Sequence, residues 1–563
     1  MSVIKFSLKK IQITFNQDKP GGYILKKYFI FLTLFLLTYS AFAQLPKFNM
    51  QSQREKMIEQ KNIHIKKMLQ SESEKTQNQE EYDVKYYSLD LIPDPTTEIL
   101  TGKVQIVGAV LSSGLNYVEL NFINNMTIDG LYLTENPGTN LTYTHTNNIL
   151  TVNLDQDYSQ GQHFDFVVEY HGLPLYGFGF SSYHGSPMIW TLSQPYGARA
   201  WWPCKDIPSD KADSVDIRVT VPSELIVASN GVLRETIKEG ANTTYWWHEK
   251  YPIVSYLVSL AIHPYTVEYD NYIYNDLADT MKIHFYMFPN HVNELQGINA
   301  LIKDQIGFFS DIFGPYPYLD EKYGHADFLG GGAMEHQTCS SFSFWNEWVY
   351  AHELAHQWWG DLITCDTWHH IWLNEGFATY SEALWAEHAY GHIYGPHTAS
   401  MYQLQESFYL GPGTIYVEDP LTQTIFSGAL SYNKASWVLH MLRHVVGDTT
   451  FFEILSTYYN SPEHRFGTAT TEEFQELCEQ VSGMDLEYFF HQWIYESGYP
   501  IYEYAWTSTD LGDGTYRVEG YIDQIQTEYP LYKMPLDISI VSISVDTNIV
   551  THTLMNDTVI FRN

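Results

Sequence analysis

The stretch His352-Glu353-Leu354-Ala355-His356, followed by Glu375 after 18 intervening residues, decides how this chain is read. Positions i and i+4 share one face of a helix, so both imidazoles point the same way. Two neutral imidazoles and one carboxylate give three ligands for Zn²⁺, one ion per chain, with a fourth position open for water. Glu353 directly follows the first ligand, where it can reach that water and take its proton. The alternative is a surface helix with two unrelated histidines, and the chain does carry 23 His among 563 residues. The flanks favour the metal. Glu347–Trp359 has an apolar-rich helical composition stopped by Gly360, and a second helix is expected to start at Asn374 as N-cap, with Glu375 in its first turn.

Upstream lies Gly330-Gly331-Gly332-Ala333-Met334-Glu335-His336. Glycines let backbone approach a ligand closely and let an edge strand run beside a substrate. Glu335 offers a carboxylate at that edge. Downstream, Glu382 lies seven residues after Glu375, two turns along the same face. It can accept a hydrogen bond from a ligand imidazole or stand solvated. His369, His370 and the tryptophans at 358, 359, 368 and 372 read as packing around the site. His388, His392 and His397 have no ligand spacing to the motif.

Three groups of residues, in order, carry a family resemblance: Gly332-Ala333-Met334-Glu335, His352 through Gly360, and Asn374-Glu375-Gly376-Phe377-Ala378. With Gln194-Pro195, Ala198-Arg199, Trp202-Pro203-Cys204 and Phe490-His491-Gln492-Trp493, the chain resembles the aminopeptidase N family of zinc metallopeptidases, thermolysin-like gluzincins, from about Tyr82 to Pro500. The resemblance implies a multidomain α+β fold. It has an N-terminal β saddle domain, a thermolysin-like α/β catalytic domain and a short C-terminal β-sandwich-like domain. It also implies roles. Glu335, on the strand of Gly332, Ala333 and Met334, would hold the substrate's free α-amine together with Gln194. Tyr432, in Ser431-Tyr432-Asn433-Lys434, would stabilise the oxyanion. Two departures stand out: His336 replaces the commoner Asn, and Ala435 replaces the usual Gly.

Composition sets the wider frame. A hydrophobic fraction of 44% and a charged fraction of 17% describe a globular chain. A formal net charge of −35 disfavours nucleic acid, which proteins hold through basic patches. Lys26 and Lys27, the apolar run Tyr28–Tyr39 and the small residues Ala41 and Ala43 read as an export signal over residues 1–43, with residues 1–22 as an extension of start-site origin. The run is short for a membrane span, so no anchor is expected after cleavage, and the expected location is periplasmic or extracellular. Four cysteines, at 204, 339, 365 and 478, do not make a disulfide framework, and their pairing is not readable.

Along the chain, residues 44–81 read as a polar linker, 82–267 as the β domain, 268–499 as the zinc domain and 500–563 as a C-terminal β domain, small or incomplete. Helices are expected over Asn293–Phe313, Ser431–Val446 and Thr470–Val481, the last with a capping box from Thr470 and Glu473. The expected activity is zinc-dependent removal of single N-terminal residues from peptides. An endopeptidase, an epoxide hydrolase with the same ligands, and a silent exported binding protein are the rivals. The preferred first residue and the oligomeric state are not legible.

Overall fold

The computed structural model describes residues 75–274, 279–405, 412–513 and 516–541, with shorter pieces at Ile4–Ser7, Lys10–Thr14, Ile58, Asn62, Thr547–Leu554 and Val559–Arg562. The expected export signal around Lys26–Gln44 lies outside the described residues.

The N-terminal domain is built of β strands. Its main sheet has seven strands, in the order Val232–Glu239, Asn242–Glu249, Ser214–Pro222, Tyr82–Pro93, Leu100–Val110, His163–Gly172, Thr127–Leu133. Alternation drives it: along Leu100–Val110 every second residue is buried, the period that puts one face of a strand on a core. A four-stranded sheet, containing Phe178–Tyr183, Ser186–Thr191, Leu260–His263 and Ile226–Ser229, leads into Gln194. Residues 75–81, expected as linker, belong to this domain. Asn78 and Gln79 are buried, and the Gln79 Nε2 donates to Asn121 Oδ1 at 2.7 Å.

The strand Thr266–Tyr274 pairs along its whole length with Asp279–Met287. It therefore starts the catalytic sheet, and the expected boundary at 267/268 falls inside it. That sheet continues through Lys322–Asp327 and Cys339–Phe342 to the edge strand Ala333–Met334, which runs antiparallel. Among the described residues eight α-helices follow or cover it: α1 Leu295–Phe313, α2 Glu347–Ala355, α3 Trp372–Tyr394, α4 Pro396–Gln405, α5 Ala435–Val446, α6 Asp448–Asn460, α7 Thr471–Ser482 and the single turn α8 Glu487–Phe490. Helix α7 carries the expected capping box at Thr470 and ends at Gly483 in the left-handed region.

Three helix ends depart from expectation. Helix α2 stops at Ala355 and His356 is its C-cap, because residues 357–360 turn back instead of continuing. Helix α3 starts at Trp372. Asn374 is inside it and is no N-cap; its Oδ1 accepts from the Cys365 N–H at 3.0 Å. The expected helix from Ser431 is a π-helical turn over Gly428–Lys434 that runs into α5.

Among the described residues two hydrophobic cores form, and the first is shared between domains. Trp368, Ile371, Phe426 and Tyr432 of the catalytic domain pack into the core of the β domain. Within 44–74, Ile58 is buried in that same core and the Asn62 Nδ2 donates to the Phe426 carbonyl at 3.1 Å. Beyond Pro500, Tyr502–Asp510, Tyr516–Gln524 and Val559–Arg562 make one antiparallel sheet. Met534–Val541 joins Thr547–Leu554 and the hairpin Ile4–Ser7/Lys10–Thr14 in another. The four cysteines are buried and unpaired. Among the described residues no helix is long and apolar enough to cross a membrane.

Candidate active site

Asn346 fixes the start of α2: its side chain accepts from the N–H groups of Trp348 and Val349. From there His352 and His356 fall one turn apart, and the His356 N–H bonds the His352 carbonyl at 3.2 Å. Helix α3 lies across α2 and brings in Glu375. Its Oε2 is 3.3 Å from His352 Nε2 and 3.2 Å from His356 Nε2, and the two nitrogens are 3.1 Å apart. Donors about 2.0–2.1 Å from a tetrahedral zinc ion lie about 3.3–3.4 Å from one another. The three buried atoms therefore fit one Zn²⁺ without rearrangement.

The far side of each imidazole is held. His352 Nδ1 donates to Glu382 Oε1 at 3.0 Å, and Glu382 in turn accepts from Gln403 Nε2 at 2.9 Å. Of the two readings of Glu382, support for the ligand is the one the structure shows. His356 Nδ1 donates to the Trp359 carbonyl at 2.9 Å. A proton on each Nδ1 leaves each Nε2 lone pair facing the metal position. Burial alone would push both imidazoles down, but the carboxylates prevail. Glu375 and Glu382 raise His352; Glu335, Glu375 and Glu353 raise His356 to about 10. Both shifts favour a proton on the nitrogens that zinc would take.

The turn after α2 is tight. Gly360 has φ 137°, and a Cβ there would lie 3.1 Å from His356 Nδ1, so a side chain would crowd the ligand ring. Gly376, just after Glu375, plays a packing role. A Cβ on it would be 2.6 Å from the Ala435 methyl. The missing Cβ at 376 makes room for the Ala435 methyl.

Glu353 and Glu335 converge on the ligands. Ligating atoms of Glu335, Glu353 and His356 all lie within 4.8 Å of one another, and all three residues are buried. Gly331 and Gly332, both at φ 82°, turn the chain into the edge strand Ala333–Met334, which pairs with Ser341 and Phe342. Glu335 follows that strand. Gln194, from the β domain and 141 residues away in sequence, donates from Nε2 to Glu335 Oε1 at 2.8 Å. His336 turns away to Ser341 Oγ, 2.9 Å from Nδ1. Gln357 ties this loop to α2, donating to the Glu335 carbonyl at 3.2 Å and accepting from the Thr338 N–H at 2.9 Å.

Tyr432, buried on the π-helical turn, stacks 6.0 Å from the His352 ring at an interplanar angle of 17°. Burial, followed by the charge of Glu375, raises its hydroxyl well above the usual phenol value, so it stays a proton donor. His369 bonds the Val417 carbonyl, and His370 and Trp372 both bond Thr471 Oγ1. These are packing contacts away from the ligand set. Reading the sequence missed Gln357, the Trp359 carbonyl and Lys211, whose Nζ donates to the Asp361 and Leu362 carbonyls at 2.7 and 3.1 Å. Backbone acceptors carry no residue signature. Gln357 had one weak signal, its place next to a ligand.

Comparison with known proteins gives a consistent picture. Residues 83–257 match the peptidase M1 N-terminal domain and residues 333–493 match the peptidase family M1 domain. Aminopeptidase M1-C of Oryza sativa subsp. japonica is 26% identical over 467 residues, covering 76% of this chain and 51% of that protein. Glutamyl aminopeptidase of Rattus norvegicus is 28% identical, over 55% of this chain and 35% of that protein. The chain thus spans about half, or less, of these relatives. An M1 zinc metallopeptidase from Deinococcus radiodurans superposes with a TM-score of 0.62 at 24% identity, over 73% of this chain and 93% of that one. A two-domain M1 zinc metallopeptidase bound to L-arginine superposes at 0.60 and 25% identity, over 73% and 94%.

Proposed function

From the chain's membership of peptidase family M1, we propose that it is a zinc aminopeptidase removing single N-terminal residues from peptides. One observation carries the reading: a buried Glu335 carboxylate, bonded to Gln194, stands within 4.8 Å reach of the Glu353 and His356 ligating atoms. A cationic α-amine fits a carboxylate in a closed cleft, and it would meet there an acid at a fixed distance from the metal position. Gln194 Oε1 is buried without a hydrogen-bond partner among the described residues, so it is a spare acceptor for the same amine.

His352, His356 and Glu375 hold the ion. Bound zinc supplies a Lewis acid for the carbonyl and draws the pKa of water from about 15.7 toward about 7. Glu353 takes the proton of the attacking water and later delivers it to the departing amine. The Tyr432 hydroxyl donates to the oxygen that becomes negative after attack. Ala333 and Met334 present backbone beside the first substrate residue. The basic pair Lys26-Lys27, the apolar run Tyr28–Tyr39 and the small residues Ala41 and Ala43 support export to the periplasm or beyond.

The test uses paired substrates. Wild type should cleave aminoacyl-arylamides and leave their N-acetyl forms untouched. Glu335→Ala should keep its zinc, raise KM and lower kcat on free-amine substrates, since the anchor binds in both ground and transition states and sets the distance to the metal. Efficient wild-type cleavage of acetylated peptides would make the chain an endopeptidase. Tyr432→Phe should lower kcat by about 10²–10³-fold with little change in KM, the usual cost of one lost oxyanion donor. A near-normal kcat would assign that role to another group.

A further inference from the structure

Lys211 has no part in the chemistry above, yet it is buried directly behind the zinc-binding turn. It sits on the short strand Lys211–Ala212 of the β domain, paired with Ile253–Val254. Its side chain crosses to the catalytic domain and donates to the Asp361 and Leu362 carbonyls at 2.7 and 3.1 Å. A lysine out of water is costly unless something uses it. Burial pulls this ammonium down to about 7, against the pull of Asp361. Both Asp361 carboxylate oxygens are buried without a hydrogen-bond partner among the described residues, so that side chain does not anchor the turn.

The turn itself orients a ligand. His356 Nδ1 bonds the Trp359 carbonyl at 2.9 Å, and the Asp361 N–H bonds the His356 carbonyl at 2.9 Å. We propose that Lys211 is a positioning residue for the metal: by holding the Asp361 and Leu362 carbonyls it fixes the turn that orients His356, so the β domain is part of the zinc scaffold. Either protonation state of the amine donates to these carbonyls. Groups that orient a ligand imidazole typically matter about 10–100-fold in metal affinity, and Lys211 acts one bond further out.

The inference rests on the zinc reading, and its test separates the two. Full-length protein loaded with one zinc is mixed with excess chromophoric chelator, and zinc release is timed for wild type, Lys211→Met and Lys211→Arg. Lys211→Met should release zinc about tenfold faster. The sign is diagnostic. Removing a cation near the ion would, by charge alone, slow release; a purely structural lysine would lower the Tm of the metal-free chain and leave release unchanged. Lys211→Arg keeps a cation, but its larger planar head does not fit the space of the buried lysine without moving the turn, so it too should release zinc faster. Release at the wild-type rate or slower, in whichever variant folds, overturns the inference. A wild type that takes up no zinc would instead overturn the metal reading.

Discussion

Glu353→Gln should abolish turnover while leaving a full zinc site. The substitution removes the proton acceptor and keeps the shape. None of the three ligand atoms belongs to residue 353, and their 3.1–3.3 Å spacing does not depend on it. General acid–base groups contribute about 10²–10⁴-fold, and Glu353 is asked to serve both on attack and on departure of the amine. The expected loss in kcat/KM is therefore on the order of 10³-fold or more. Burial makes rescue by water poor, since Glu353 is only 2% exposed. The measurement is zinc content beside kcat on an aminoacyl-arylamide. Zinc present with activity within tenfold of wild type would remove Glu353 from the proton path.

His356→Ala acts at the other end, on the metal. It deletes one of three donors and removes the imidazole that lies within reach of both Glu375 and Glu335. Purified variant should carry little zinc and no activity. Full zinc occupancy would sink the ligand assignment. Wild type shares the same dependence in milder form. His356 is raised to about 10 in the metal-free pocket, so a proton occupies the site below that value. Metal must displace it, and affinity should weaken as pH falls, by about tenfold per pH unit for each proton displaced. Competitive zinc titrations between neutral and mildly acid pH read this slope, and a flat profile would mean that no ligand proton is released.

The pairing of His352 with His356 was legible because its spacing is dictated by helix geometry. The pair 352/356 needs only the i, i+4 rule, and the bonding of α2 delivers it even though the helix ends at Ala355. The paired Thr470 and Glu473 likewise marked the start of α7. What failed was local end chemistry. Asn374 has the side chain of an N-cap, but the Cys365 N–H claims it and α3 begins two residues earlier at Trp372. The π-helical turn before α5 has no compositional mark; it is set by packing of Tyr432 and Phe426 into the core shared with the β domain. Gln194 and Glu335 meet across 141 residues, a contact that no local pattern encodes.

That last contact makes the pocket a two-piece object. On the proposed reading, one half of the amine anchor is carried by the β domain and the other half, with the residues that would hold the metal, by the catalytic domain. Neither domain alone would offer a substrate both a clasp and a blade. On that reading peptide cleavage would report that the two have docked, and a chain caught midway through assembly would be harmless to its neighbours.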